Sequence, residues 1–221
     1  MSHPLWDRYG PLIKSRSRMI PDSVVHALQS IPHPVVLLEG TRRVTDDWRT
    51  ALVRLGRELA EAFPNAIFRS GNAAGSDEAF AEGVASVPGS HLQLILPIPQ
   101  VGRSRRPKGT PCFSLDQIPD AELEILVTAC AAATPANRRL FDFFVNGPSN
   151  NHAYSKTRYL VRDALKVIGS PSLNLPPATL GLFFINEDDA SGGGTGHTIR
   201  LCQNHNVPVL TQQAWLDPLN P

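Results

Sequence analysis

The feature that most constrains the fold is a regular alternation of apolar runs and amphipathic segments over residues 35–96. Residues 35–39 form a continuous aliphatic run, which is typical of strands buried on both faces. The segment 46–63 places an apolar residue at every third or fourth position, so these side chains share one face of a helix. Strands at 66–69 and 92–96 flank a second helix that begins near Ser76. This order predicts a parallel α/β sheet with helices on its faces.

The rest of the chain fits a single domain, because 221 residues exceed the usual domain length only modestly. The further segments predicted are helices at 120–133 and 155–168, a strand at 179–185, a helix ending near 204 and a strand at 207–210. Residues 141–145 are ambiguous between a strand and a buried helix, and prolines make 97–119 an irregular insertion. We therefore divide the chain into an N-terminal extension, 1–33, and one α/β domain, 34–221.

Composition argues against several classes of protein. The 21 Lys and Arg residues nearly balance 20 Asp and Glu residues, whereas proteins that bind duplex DNA through its phosphates usually carry a large basic excess. The three cysteines lie far apart with no zinc-ligand spacing, so we expect neither a disulfide framework nor a metal cluster. No run approaches the roughly 20 apolar residues of a membrane span, and the N-terminus lacks the apolar core of a secretory signal. We expect a cytoplasmic protein with no membrane partner.

Three glycine-containing turns each follow a predicted strand and precede a predicted helix, at 40–42, 70–77 and 191–198. In an open parallel sheet such turns meet at the carboxyl ends of the strands, where ligands bind. Glycine allows backbone amides to approach a ligand closely, and the N-terminus of a helix attracts phosphate or carboxylate. The sequence therefore predicts one anion-binding site built from the three turns.

The motifs in these turns are Gly40-Thr41-Arg42, Ser70-Gly71-Asn72-Ala73-Ala74-Gly75-Ser76-Asp77 and Gly193-Gly194-Thr195-Gly196-His197-Thr198. In this order they resemble the SLOG superfamily, which unites Smf/DprA DNA-processing proteins, Lonely Guy phosphoribohydrolases and YspA/YpsA-like proteins. The segment 156–161 is similar to an arginine-bearing helix of the YspA/YpsA-like branch, and the whole resemblance covers roughly residues 35–210. It implies a single Rossmann-like domain, a nucleotide or nucleotide-derived phosphorylated ligand, and a homodimer.

Most of the candidate ligand residues belong to the three turns. The ligand-binding set is Gly40, Thr41, Arg42, Ser70, Gly71, Gly75, Ser76, Arg158, Gly193, Gly194, Thr195, Gly196, His197 and Thr198. Arg42 and Arg158 can clamp a phosphate, and each can equally be a solvated surface charge. The serines and threonines can equally be helix caps, and a lone loop histidine is more often neither a ligand contact nor an acid.

The function expected from this site is binding, as a sensor or carrier module. The alternative is a nucleotide-processing hydrolase that cleaves an N-glycosidic bond, with Asp77 or Glu78 as acid or base; both acids can instead simply oppose the helix dipole. The Lonely Guy signature is only partly present, since Ser191 replaces its proline and no glutamate follows Thr198.

A third alternative is single-stranded DNA binding through a basic run in the insertion, although the net charge of +1 gives it no support. The residues of that run are Arg103, Arg105, Arg106 and Lys108. We expect no required cofactor. Mg²⁺ can accompany a nucleotide, held by Glu187, Asp188 and Asp189, and a solvated acidic turn is the other interpretation of these three residues.

Overall fold

A computed structural model describes residues 10–11, 13, 17–146, 152–186 and 192–216. The described residues form one six-stranded sheet in which every neighbouring pair of strands is parallel. The strands are β1 (Val35–Gly40), β2 (Ile67–Ser70), β3 (His91–Leu96), β4 (Cys112–Ser114), β5 (Leu180–Phe184) and β6 (Val209–Thr211). Their spatial order is β4-β3-β2-β1-β5-β6. The predicted α/β class, a Rossmann-like parallel sheet with helices, is therefore confirmed.

Helices cover both faces of this sheet. They are α1 (Asp22–Gln29), α2 (Asp46–Ala62), α3 (Ser76–Ala85), α4 (Asp120–Ala133), α5 (Arg138–Asn146), α6 (His152–Ile168), α7 (Gly193–Asn204) and α8 (Gln212–Leu216). The first three pack on the face that carries Val36 and Leu38, and α4 to α7 pack on the face that carries Leu37 and Phe183. Alternate side chains of each central strand therefore enter two separate apolar cores, which is why the strands read as continuous apolar runs.

The structure differs from the predicted secondary structure in the insertion at 97–119, and it decides between strand and helix for residues 141–145. The insertion at 97–119 contains β4, which pairs with β3 from Leu94↔Cys112 to Leu96↔Ser114. A three-residue edge strand among prolines carries too little periodicity to be read from the sequence. Residues 141–145 belong to α5, where Phe141 and Phe144 are buried, so the buried-helix interpretation of this segment is correct.

The described part of the N-terminal segment packs onto the domain. Met19, Ile20, Val24 and Leu28 are buried in the same core as α2 and α3. The Met19 amide donates to the Glu58 carboxylate on α2 at 2.5 Å. These contacts attach the segment to the sheet through α2.

The chain leaves β1 in one direction to build β2, β3 and β4, and returns to the other side of β1 with β5 and β6. The reversal of strand order lies between β1 and β5, where loops diverge and leave a crevice at the carboxyl ends of the strands. No helix among the described residues is long and apolar enough to cross a membrane.

Candidate functional site

A cavity of about 470 Å³ opens at this reversal, and we call it the switch-point cavity. Gly40, Thr41 and Arg42 from the first turn line one side. Other lining residues come from the start of α3, the middle of α6 and the start of α7. All three predicted turns thus reach one cavity, as the parallel topology requires.

The floor of the switch-point cavity is a cluster of five buried charged side chains: Glu39, Asp77, Arg162, Asp163 and Lys166. The Lys166 ammonium contacts the Glu39 carboxylate and lies 2.8 Å from the Asp163 carboxylate. Arg162 Nε lies 3.0 Å from the same Asp163 oxygen. Three carboxylates face two cations, so a single proton shared by the carboxylates makes the cluster neutral. Neutrality is favoured because isolated charges are costly to bury.

The pKa values follow from this imbalance. Burial raises the pKa of Glu39 to about 7; Lys166 opposes the rise, and the Asp77 and Asp163 charges add to it. Burial likewise raises the pKa of Asp77, against the attraction of Lys166 and Arg162. Burial also disfavours the ionised form of Asp163, but Lys166 and Arg162 together outweigh it and hold that pKa below its ordinary value. The exchangeable proton therefore resides on Glu39 or Asp77, and Asp163 stays ionised.

Arg69 on β2 holds α6 in position above the sheet. Its guanidinium donates to the Lys166 and Pro176 carbonyls at 2.9 Å each and to the Gln93 side chain at 3.0 Å. Burial lowers the pKa of Arg69 to about 10. These bonds tie the end of α6 to the sheet and so fix where Lys166 enters the cluster.

Backbone amides of the first and second turns bind the Asp77 carboxylate. Gly40 N–H donates to it at 3.2 Å and Ala73 N–H at 3.4 Å. Gly75 has a φ of +92°, and a Cβ there would lie 2.7 Å from the Arg42 and Thr41 carbonyl oxygens. Only glycine allows this approach of the first two turns.

The third turn forms the first turn of α7. Gly193, Gly194, Thr195 and Thr198 line the cavity, while the Thr195 hydroxyl donates to the Gly40 carbonyl at 3.1 Å. The first amides of a helix have no partners within the helix and carry the positive end of its dipole. The mouth of the cavity thus has an anion-attracting wall opposite an acidic floor.

A second cavity of about 200 Å³ adjoins the first, and we call it the arginine cavity. It shares Arg42, Ala73 and Arg162 with the switch-point cavity and adds Arg105 and Tyr159. No described Asp or Glu lines it. The insertion reaches it because the Asn72 side-chain amide donates to the Gly102 carbonyl at 3.0 Å. Asn72 adopts the left-handed conformation expected for asparagine, with φ of 55°.

Three predicted site residues lie away from both cavities. Arg158 donates to the Pro97 carbonyl at 2.7 Å and to Asp116 at 2.5 Å, and lines neither cavity. His197 is buried, its Nδ1 lies 2.7 Å from the Thr134 hydroxyl, and burial lowers its pKa. Glu78 is half-buried on α3 and also lines neither cavity. None of these three side chains lines the switch-point cavity or the cavity that adjoins it.

Three further predicted residues serve contacts inside the protein. The Ser76 hydroxyl donates to the Thr41 carbonyl at 2.8 Å, and the Ser70 hydroxyl donates to the Asp77 carbonyl at 3.4 Å. Gly196 is buried within α7. Gly71 lines the arginine cavity, and a Cβ there would lie 2.2 Å from Arg162 Nη1. Arg162 donates to the Gly71 carbonyl at 2.6 Å, so this glycine leaves room for the guanidinium.

Sequence reasoning missed four members of the charged floor: Glu39, Arg162, Asp163 and Lys166. One signal was present for Glu39, a carboxylate at the last side-chain position of an otherwise apolar strand. Asp163 and Lys166 carried only the spacing of an ordinary ion pair on a helix surface. Neither pattern shows by itself that α6 is buried on all sides over residues 160–167.

No group of three or more His, Cys, Asp or Glu side chains among the described residues is arranged to hold a metal ion. The Mg²⁺ candidates Glu187, Asp188 and Asp189, like Ser191, lie outside the described residues. The Glu39 and Asp163 carboxylates in the cavity both pair with the Lys166 ammonium. This pairing does not suit them to bind a metal ion in place of Glu187, Asp188 and Asp189.

Comparison with known proteins finds one distant structural similarity and no sequence match. No family model and no curated protein sequence matches the chain. Among solved structures, the chain is similar to DNA processing protein A from Helicobacter pylori, a protein with a unique single-stranded DNA binding mode. The identity is 16%, the TM-score is 0.43, and the match covers 81% of this chain but only 65% of that one. The likeness is too distant to indicate a ligand for this chain.

Proposed function

We propose that the chain binds a nucleotide or a nucleotide-derived phosphorylated ligand in the switch-point cavity, as a sensor or carrier module. The observation that carries this proposal is the convergence of all three glycine turns on one cavity of about 470 Å³ at the reversal of strand order. A pocket of this size accommodates a small organic ligand. The motif order supports placing the chain with the SLOG superfamily, near the YspA/YpsA-like branch.

The two walls of the cavity suit the two halves of such a ligand. The amides at the start of α7, around Gly193 and Gly194, suit a phosphate. The carboxylates of Asp77 and Glu39 suit ribose hydroxyls, which donate hydrogen bonds to carboxylate oxygens. Arg42 reaches the same cavity and makes no hydrogen bond or ion pair with another described residue, so it can contact the phosphate.

The test is a calorimetric titration with nucleoside 5′-monophosphates, paired with thermal shifts. Ligand at about 100 times its Kd should add about 2.7 kcal/mol to the unfolding free energy. Gly194→Asp puts a negative charge at the start of α7 and should abolish binding, whereas Gly194→Asn has the same shape without the charge and should retain more of it. Absence of binding by the unaltered protein, or equal loss in both variants, contradicts the proposal.

A second candidate function is hydrolysis of an N-glycosidic bond in the same ligand. It is favoured by one observation, the cavity carboxylate of Glu39 whose pKa burial raises to about 7. A group with such a pKa can donate or accept a proton at neutral pH. In this reaction the oxygen of water bonds to the anomeric carbon and the carbon–nitrogen bond breaks. The departing base takes the proton that Glu39 and Asp77 share, and the proton lost by the water passes to the ionised carboxylate of this pair.

Release of free base from a nucleoside 5′-monophosphate measures this activity directly. Glu39→Gln should lower the rate by about 100-fold or more. The matched control is Glu82→Gln, which removes an exposed carboxylate of α3 that pairs with Arg49. Binding without turnover leaves the module function and excludes the hydrolase.

We do not propose that the basic run of the insertion binds single-stranded DNA. Two guanidinium groups of the basic run already have partners within the protein. Arg106 donates to the Pro99 and Val101 carbonyls, and Arg105 donates to the Asn72 carbonyl. The homodimer and the cytoplasmic location remain predictions of the sequence.

A further inference from the structure

We infer that the arginine cavity is a second anion subsite, and that the ligand carries phosphate groups on both sides of its ribose. This inference rests on the proposed function, because the first phosphate and the ribose are those assigned above to α7 and to the acidic floor. It assigns a role to the insertion at 97–119, which the proposed function does not use.

The charge of the arginine cavity supports an anionic occupant. Arg42, Arg105 and Arg162 reach it from three separate segments of the chain, and no described carboxylate lines it. Arg162 is neutralised by Asp163 at 3.0 Å, but Arg42 has no ion-pair partner among the described residues and Arg105 contacts only a backbone carbonyl. Guanidinium groups bind phosphate through paired donors, so an incoming phosphate would supply the negatively charged partner that Arg42 and Arg105 lack among the described residues.

The cavity is organised before any ligand arrives. Asn72 is buried and holds the Gly102 carbonyl at 3.0 Å, and Arg105 returns a bond to the Asn72 carbonyl at 3.3 Å. The Asn72 side-chain oxygen is buried and has no hydrogen-bond partner in the part of the chain that the structure describes. The insertion is thus fixed to the second turn, which lowers the entropy lost when an anion binds.

The positions of the charged groups in the two cavities indicate the kind of ligand. Arg42, Ala73 and Arg162 line both cavities, so one molecule can occupy the two together. The start of α7 lies in the switch-point cavity alone, Arg105 lies in the arginine cavity alone, and the carboxylates line only the former. A ribose whose 2′-hydroxyl contacts Asp77 would present one phosphate to each side. A nucleoside 3′,5′-bisphosphate has this arrangement, whereas a 5′-monophosphate fills only one subsite.

The experiment compares the Kd of adenosine 5′-monophosphate with that of adenosine 3′,5′-bisphosphate by calorimetry at two salt concentrations. The bisphosphate should bind about tenfold tighter, corresponding to one charge-assisted contact, and the advantage should shrink at high salt. Arg105→Gln should remove the advantage and leave the monophosphate affinity unchanged. Arg105→Lys should keep part of it. Arg57→Gln, which removes an exposed arginine of α2, matches the loss of charge and should keep all of it.

Equal affinity for the two ligands, or equal weakening of both by Arg105→Gln, overturns the inference and leaves the proposed function standing. Failure of both ligands to bind overturns both. If Arg105→Gln does not fold, Arg42→Gln tests the same cavity, because Arg42 is exposed and makes no hydrogen bond or ion pair with another described residue. That variant should weaken the bisphosphate more than the monophosphate, because Arg42 lines both cavities and can contact both phosphates of the bisphosphate.

Discussion

The two adjoining cavities use charge in opposite ways. In the floor of the switch-point cavity the charges are buried and paired with one another, as Lys166 is with Glu39 and Asp163. In the arginine cavity Arg42 is exposed and Arg105 is half-buried, and neither faces a carboxylate. Buried pairs are part of the folded state, since losing one partner leaves an unpaired charge, whereas exposed arginines add little to stability. Substitution of the paired charges in the first cavity should therefore lower the unfolding free energy strongly, whereas substitution of Arg42 or Arg105 in the second should change it little.

The largest expected effect comes from removing Lys166. Lys166→Met leaves Glu39, Asp77 and Asp163 facing Arg162 alone, in a site where Lys166 is 1% exposed. Loss of one partner of a buried ion pair typically costs about 3–5 kcal/mol. Chemical denaturation at pH 7.5 measures this loss, and the loss should be smaller at pH 5, where the carboxylates can take up protons.

The control for this variant is Lys156→Met on the exposed part of the same helix, where a change within about 0.5 kcal/mol is expected. If the two lysine variants were equally stable, the charged floor would not be part of the stability of the fold and the contrast between the cavities would disappear.

The next effect is the pH dependence contributed by Glu39. The pKa of Glu39 is about 7 in the folded protein, above its ordinary value of 4.5, so between these values the folded state holds a proton that the unfolded chain has released. The stabilising contribution is therefore complete below about pH 4.5, is lost as the pH rises to 7, and is constant above. Its size is on the order of 3 kcal/mol.

The comparison with Glu39→Gln isolates this contribution. The groups facing Glu39 are Asp77 on α3 and Arg162, Asp163 and Lys166 on α6, and all remain in the variant. Asp77, with its raised pKa, still gives the variant a decline of the same sign. The unaltered protein should lose more stability between pH 5 and 7.5 than Glu39→Gln. Equal slopes would mean that Glu39 is ionised throughout and that the proton resides on Asp77.

A smaller effect is expected at the boundary between the cavities. Gly71→Ala places a Cβ 2.2 Å from Arg162 Nη1 and displaces the guanidinium that both cavities share. Overpacking of this kind costs about 1–3 kcal/mol. Gly194→Ala is the comparison, because its Cβ would lie 3.6 Å from the nearest atom, an Asp163 oxygen. Thermal unfolding should show a loss for the first variant and little change for the second, and similar values would contradict the tight fit described for Gly71.

The smallest effect on stability is expected for Arg42→Gln. Arg42 is exposed and has no hydrogen-bond or ion-pair partner among the described residues, so the unfolding free energy should change by less than about 0.5 kcal/mol. Ligand affinity should nevertheless fall by about tenfold, since Arg42 lines both cavities. A loss of stability without a loss of affinity would reverse the roles assigned to the two cavities.

The architecture of the site followed from the sequence because it depends on topology. Once β1, β2 and β5 are parallel, the turns after them must meet at one edge, and Gly40, Asp77 and Gly194 do line one cavity. The helix boundaries also followed closely, as with α2, predicted over 46–63 and observed over Asp46–Ala62.

The burial of the charged side chains could not be predicted from the sequence, because burial depends on how whole helices and strands pack together. Arg158 and Arg162 lie one helical turn apart on α6, and sequence reasoning selected Arg158. The structure places Arg158 against Asp116 and Arg162 in the floor of the cavity. Choosing between them requires the direction in which α6 crosses the sheet, and Arg69 fixes that direction through bonds to Lys166 and Pro176. An arginine inside a β-strand carries no sequence signal of such a role.

The central position of β1 has a consequence for how the protein is made. Val35 on β1 accepts a hydrogen bond from the Thr179 hydroxyl at a separation of 144 residues, and β5 pairs with β1 from Val36 to Gly40. During synthesis, one edge of β1 must therefore remain without its partner while the intervening chain is produced. Unpaired strand edges promote aggregation, and pairing over long sequence separations is slow. The strand that supplies Glu39 is thus the one that most needs protection in the nascent chain.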